Sequence, residues 1–381
     1  MNRVYLDNAA TTPLANEVIE EMLGVMKENY GNPSSTHSFG QEAKATIESV
    51  RRYIAGQLKV QPNEIIFTSC GTESNNLIIK SCVNYLGVER IITSPLEHKC
   101  VAESVRDMKT RQNVEVVYIK PNQKGDLSLQ DIEKALQKSN KKTLVTLMHA
   151  NNEIGNIYDI EAIGNLCKKY NAYFHADTVQ TIGHLDLDFS KINIDFASCS
   201  AHKFHGPKGS GFAYVKKNTQ LKALISGGGQ ERDMRSGTEN IVGIVGLGKA
   251  LQLCLDNLSD YQKYIQDLKN YTIQELQKRV PNVRFNGRSD EAENSLYTLV
   301  SILLPFKEPL LGFKLDMKGI AISQGSACSS GATKVSMVMM MILNDEDLEN
   351  HTPLRVSFSH YNTKEDIDRL IDAIVEIQEQ Q

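Results

Sequence analysis

The sequence predicts an α/β protein: a large domain around a mainly parallel central sheet, followed by a smaller α+β domain. Three observations carry that prediction. Short apolar runs alternate with helix-period segments through the first two-thirds of the chain, the pattern of parallel strands joined by covering helices. From Asn240 to about Arg279 the pattern becomes almost wholly helical, and Pro281 stops it. Beyond that point strands and helices alternate in a different rhythm. At 381 residues the chain exceeds what one core usually takes. The boundaries fall at 14–260 for the large domain, with 1–13 and 261–381 forming the smaller one, which carries the Cys328 loop.

The elements are taken in chain order. NEIIFTS (63–69) reads as a strand and GTESNNLIIKSCVNYL (71–86) as a helix. RIITS (90–94) is a strand, HKCVAESVRDMK (98–109) a helix, and VEVVYIK (114–120) and KTLVTLMHA (142–150) are strands flanking a helical DIEKALQK. IEAIGNLCKKYN (160–171) is helical, while AYFHAD (172–177) and DFASCS (195–200) are strands. GFAYVKK (211–217) closes the series, in either orientation. After the long helical region, SLYTLVSILLP, IAIS and LRVSFS read as strands and EPLLGFKLDMKG as a helix. The final segment repeats Ile367, Leu370, Ile371, Ile374 and Val375 at helical spacing, with Thr363 as its N-cap.

Composition excludes several functions. Hydrophobic residues make up 41% and charged residues 23%, ordinary globular values. A net charge of −4 offers nothing to nucleic acid or an anionic membrane. MNRVYLDNAATTP has no basic region followed by an apolar run, and no apolar stretch reaches about 18 residues, so a cytoplasmic chain without a membrane span is expected. The seven cysteines are odd in number and lack CxxC spacing. Neither a disulfide framework nor a metal site is expected, and six of the seven read as inert buried thiols.

In open parallel sheets, ligands sit beyond the carboxyl ends of the strands. The residues just past the predicted strands are therefore the candidates. They are Cys70 to Ser74, His98, Asn151 to Glu153, Asp177 with Gln180, and Ser200, His202 and Lys203. Each alone has an ordinary explanation as a cap or surface residue. Together they make a phosphate seat at Gly71 and Thr72, an imidazole, a carboxylate and a lysine. That set suits pyridoxal phosphate, which needs a lysine to carry it, an acid for its ring nitrogen and a phosphate cradle.

Cys328 stands apart from the other cysteines. It lies in SQGSACSSGATK (323–334), among glycine and serine with no apolar wall, and reads as a nucleophile on a loop. Arg355 comes later in a strand, where a guanidinium can grip a carboxylate with two parallel hydrogen bonds. GIVGLGKA (243–250) nearly matches a phosphate-binding loop. Ala250 replaces the Mg²⁺-ligating hydroxyl and no strand precedes it, so its glycines are read as helix-packing positions.

Ten segments together resemble the cysteine desulfurases of the NifS/IscS type, in the aminotransferase class V family. They are YLDNAATTP (5–13), NPSSTH (32–37), FTSCGTESNN (67–76), EHK (97–99), HANNEIG (149–155), HADTVQTIG (175–183), SAHKFHGPKGSG (200–211), RSGTEN (235–240), GSACSSG (325–331) and LRVSFSHYNTKEDID (354–368). The resemblance implies a type I pyridoxal-phosphate transferase fold and a homodimer. It implies that Lys203 is the Schiff-base lysine, Asp177 the ring-nitrogen partner and His98 the stacked imidazole that helps with proton transfers. Gln180 would contact the ring hydroxyl, and Asn152 would line the cofactor and substrate pocket. Thr72, Ser200 and His202 would hold the phosphate, with Thr238 reaching in from the partner subunit. Arg355 would bind the carboxylate of L-cysteine. Cys328 would take the sulfur as a persulfide, leaving L-alanine, and pass it to an acceptor or scaffold protein for iron–sulfur cluster assembly or other thio-cofactor synthesis.

Overall fold

Ile65, Ile66 and Phe67 are all buried, but their alternating side chains enter two different cores, Ile65 and Phe67 on one side and Ile66 on the other. A strand apolar at every position is what a sheet covered on both faces requires. The computed structural model describes residues 3–219, 221–324, 326–327 and 333–380. The strands are β1 (Val4–Tyr5), β2 (Ile65–Thr68), β3 (Arg90–Thr93), β4 (Glu115–Tyr118) and β5 (Thr143–Met148). Then come β6 (Tyr173–Asp177), β7 (Phe196–Ser200), β8 (Gly211–Val215), β9 (Arg284–Phe285) and β10 (Leu299–Leu304). The last are β11 (Ile320–Ala321), β12 (Ser326–Ala327), β13 (Thr333–Lys334) and β14 (Thr352–Ser357).

The central sheet has seven strands in the order β2-β8-β7-β6-β5-β3-β4. Only β8 runs against its neighbours, settling the orientation that the sequence left open. The other six share one direction, so the carboxyl ends of β2, β3, β5, β6 and β7 meet at one edge. Helices Gly71–Asn84 and Lys99–Gln112 cover one face through Leu77, Ile78, Val101 and Val105. The other face is covered by Asn16–Glu28, Ser38–Leu58, Leu129–Gln137, Ile160–Lys169 and Ile241–Asp256. The glycines of GIVGLGKA lie in the last of these, as expected. A Cβ on Gly246 would sit 2.7 Å from Met22 Sδ, and one on Gly248 would sit 2.7 Å from Val50 Cγ1.

A third core gathers Ile265 and Leu276 of helix Leu258–Arg279, Ile302 of β10, Leu354 of β14 and the apolar face of helix Lys364–Glu379. Thr363 caps that last helix, its hydroxyl accepting from Asp366 N. Val4 and Leu6 join the same core because β1 pairs in parallel with β11. This pairing leads the chain from β1 into Asp7–Ala10, where the backbone meets Lys203. Val338, Met339 and Ile342 instead pack into the first core. Among the described residues, no single helix is long and apolar enough to cross a membrane.

Candidate active site

The strand ends surround a cavity of about 420 Å³. Gly71, Thr72, His98, Asn152, Asp177, Gln180, Ser200, His202, Lys203 and Arg355 all line it. β2 runs into Cys70, whose extended backbone turns the chain into helix Gly71–Asn84 and aims that helix's first N–H groups at the cavity. Gly71 is required there by space: a Cβ would lie 2.6 Å from Val179 Cγ2. Ser200 ends β7, and its buried Oγ has no hydrogen-bond partner. A buried hydroxyl left unpaired is costly, and this one belongs to a residue of the cavity wall.

Asp177 ends β6 and is buried. Its Oδ2 accepts from Asn75 Nδ2 at 2.8 Å, while Oδ1 accepts from Val179 N at 3.1 Å and Ser198 Oγ at 3.3 Å. These bonds hold the carboxylate in place as an acceptor.

Lys203 closes the 3₁₀ turn Ala201–Lys203 that comes after β7. Its Nζ donates to Ala9 O at 2.7 Å and to Ala10 O at 2.8 Å. Burial, then the Arg355 charge, push its ammonium down to about 8, against the opposing pull of Asp177 and Asp7. Beside it, His202 is pushed down to about 4 by burial and then by Lys203 and Lys208, so the ring is neutral. His202 is tied to the N-terminal segment: its Nδ1 and Thr11 Oγ1 lie 3.2 Å apart, and its carbonyl accepts from Thr12 N at 2.8 Å.

His98 is the N-cap of helix Lys99–Gln112, solvent-exposed where it lines the cavity, with protein crowded on its other sides. Nδ1 accepts from Cys100 N at 3.2 Å, which leaves Nε2 as the protonated nitrogen of the neutral ring. Burial lowers its basicity, Lys203 adds to that effect, and Asp177 and Glu153 oppose it. The Cys100 thiol lies 2.9 Å from the same Nδ1. Burial and the Asp177 charge push that thiol up to about 12, so it stays protonated.

Arg355 enters from β14. Nη2 donates to Asp7 Oδ1 at 2.8 Å and Ser323 Oγ at 2.9 Å, and Nη1 donates to Asn152 O at 2.8 Å. Nε is buried without a partner. Gln180 Nε2 donates to Ala9 O at 3.1 Å. Cys328 lies outside the described residues. Thr238 is exposed and does not line this cavity.

Several residues at the site carry no role that the sequence predicts. Asn75 holds Asp177, Asp7 holds Arg355, and the Ala9 and Ala10 carbonyls hold Lys203. The segments YLDNAATTP and FTSCGTESNN contain all four, but each acts on a partner more than 100 positions away, two of them through backbone alone. The cysteines also differ from expectation. Cys82, Cys167, Cys199 and Cys254 are buried, whereas Cys70 and Cys100 are half-buried, because the cavity cuts into the wall they form.

The aminotransferase class-V family model matches residues 4–370. The cysteine desulfurase IscS of Dictyoglomus turgidum is 41% identical over 377 residues, covering 98% of this chain and 94% of its own length. Among solved structures, a NifS-like protein matches with a TM-score of 0.90 at 36% identity, covering 100% of each chain. SspA, solved in complex with cysteine, matches at 33% identity with a TM-score of 0.79, covering 94% of this chain and 100% of its own.

Proposed function

The chain belongs to the aminotransferase class-V family, among the cysteine desulfurases of the NifS/IscS type, and from that premise we propose that it binds pyridoxal 5'-phosphate and moves the sulfur of L-cysteine onto Cys328, releasing L-alanine. The observation that carries this reading is one cavity lined by Lys203, Asp177, His98 and Arg355.

The residues present fit the cofactor. The unpaired Ser200 Oγ and the first N–H groups of helix Gly71–Asn84 suit a phosphate, with Thr72 and the neutral His202 beside them. The triply held Asp177 carboxylate suits a protonated ring nitrogen. Gln180 suits the ring hydroxyl, and His98, open to the cavity, suits the ring face. When bound, the cofactor supplies an electron sink for the Cα of an amino acid.

The chain's own residues do the rest. Three of the five Arg355 N–H groups are engaged, which leaves Nε and the second N–H of Nη1 to orient a substrate carboxylate, with Asn152 alongside. Lys203, depressed to about 8, can give up its proton near neutrality and take the Cα proton of the bound amino acid. His98 offers its Nε2–H to the same space. The Cys328 thiolate attacks the substrate sulfur. A sulfur–sulfur bond forms as the Cβ–S bond breaks, and the carbon keeps the electron pair and gains a proton. L-Cysteine and a thiol thus become L-alanine and a persulfide, with no external oxidant or reductant.

The structure of SspA with cysteine supports the substrate. The homodimer, in which Thr238 serves the partner's site, rests on the resemblance of RSGTEN (235–240), and the exposed position of Thr238 leaves it open to such a contact. The outer sulfur then passes to an acceptor or scaffold protein in the cytoplasm, for iron–sulfur cluster assembly or other thio-cofactor synthesis. Full-length protein mixed with pyridoxal phosphate should retain a visible absorbance band through gel filtration, and Lys203→Ala should not. Equal bands in both proteins, or none in the wild type, would contradict the reading.

A further inference from the structure

Glu231, Arg232 and Asp233 have φ values of 47°, 57° and 64°. Three consecutive left-handed residues with side chains form a costly turn, one that persists only where its surroundings hold it. A buried ion pair does so here. Arg51 donates from Nη1 and Nη2 to the two Glu231 oxygens, at 2.7 Å each. The side chains are 3% and 2% exposed. The pair is also bound to β2. Arg51 Nη1 donates to Ile65 O at 2.7 Å, Glu231 Oε2 accepts from Phe67 N at 2.8 Å, and the guanidinium lies 4.6 Å from the Phe67 ring centroid. Arg51 Nε makes a further bond to Glu48 Oε1, at 2.9 Å, within its own helix. Buried ion pairs are a poor source of net stability, but breaking one by removing a partner is costly, so this pair fixes the turn against β2.

The chain just beyond the turn reaches the helix at the cavity. Arg235 Nε donates to Glu73 Oε1 at 2.9 Å, and Glu73 Oε2 accepts from Ser69 N at 2.7 Å. Burial alone would raise the Glu73 carboxyl, but the bonds from Arg235 and Ser69 outweigh it and hold the group below its ordinary range. The contacts therefore form a closed circuit. It leaves β2 at Ile65 and Phe67, passes through Arg51, Glu231, the strained turn, Arg235 and Glu73, and returns at Ser69, just past the end of β2. Glu73 lies in the first turn of helix Gly71–Asn84, beside Gly71 and Thr72.

We infer that Arg51 and Glu231 are positioning residues: they latch the 231–233 turn so that Arg235, through Glu73, sets the angle at which the helix presents its N-terminus to the cofactor phosphate. The inference rests on the phosphate seat proposed above, and the test separates the two. A latch of this kind acts on the phosphate and not on the ring.

The dissociation constants of pyridoxal phosphate and of pyridoxal are measured on cofactor-stripped full-length wild type, Glu231→Gln and Arg235→Met. Wild type should strongly prefer the phosphorylated form. Each variant should weaken pyridoxal phosphate by about tenfold and pyridoxal by less than about twofold. Equal weakening of both ligands, or of neither, overturns the latch. A wild type without preference for the phosphorylated form overturns the seat itself, and the latch with it. If Glu231→Gln does not fold, Arg235→Met decides alone, since that side chain is 25% exposed and outside the cores on either face of the sheet.

Discussion

Asn75 Nδ2 donates to Asp177 Oδ2 at 2.8 Å, from the helix whose first turn is the proposed phosphate seat. One helix thus carries the proposed phosphate seat and holds the carboxylate proposed for the ring nitrogen. Asn75 is 0% exposed and Asp177 6%, so the bond lies away from bulk solvent and its loss is costly. Asn75→Ala should lower kcat/KM for L-cysteine by roughly tenfold, the worth of one charge-assisted hydrogen bond. Asp177→Asn, which removes the charge itself, should cost on the order of a hundredfold or more. Steady-state alanine release checks both, and an unaffected Asp177→Asn would contradict the role given to it.

The depressed Lys203 sets a pH dependence. Its amine is mostly charged below about 8 and mostly free above. Only the free amine attacks the cofactor's aldehyde, so capture of pyridoxal phosphate by stripped protein should quicken as pH rises through about 8. Arg355 is the second cause of the depression, after burial. Arg355→Gln removes that cation, so the midpoint should move to higher pH. Stopped-flow absorbance across the range would show both effects, and a midpoint that moves down in the variant would contradict the account.

Ser200 should give effects of opposite sign on stability and binding. Its Oγ is buried and unpaired without a ligand, so Ser200→Ala should leave the stripped protein as stable or more stable, by up to about 1 kcal/mol. The same change should weaken pyridoxal phosphate by roughly tenfold, because the phosphate then loses that hydroxyl as a partner. Thermal denaturation without cofactor and titration with it read the two effects separately. Destabilisation without any change in affinity would assign Ser200 to packing alone.

The residues legible in the sequence are those whose signal is local. Lys203 and Asp177 stand at the ends of apolar runs, and the run lengths and intervening helices place those ends on one edge. The contacts that hold them in place are not legible there. Lys203 is held by two carbonyls 194 and 193 positions away, and a backbone carbonyl carries no residue identity. Asn75 and Asn76 are adjacent and chemically identical. Helix phase alone turns the first toward Asp177 and the second back to Thr72 O. Helix Asn16–Glu28 also gives no clear signal. Gly24 interrupts it, its N-cap makes no side-chain bond, and Ile19, Leu23 and Met26 are exposed, so no clean apolar stripe marks it.

The central claim is that sulfur leaves L-cysteine by way of Cys328. It is tested most directly by L-alanine release from L-cysteine in the presence of a thiol reductant, comparing wild type with Cys328→Ala, both loaded with pyridoxal phosphate. The account predicts steady alanine production by the wild type and loss of nearly all of it in the variant, with the cofactor's absorbance unchanged. A variant as active as the wild type, or a cofactor-loaded wild type that makes no alanine, would contradict it.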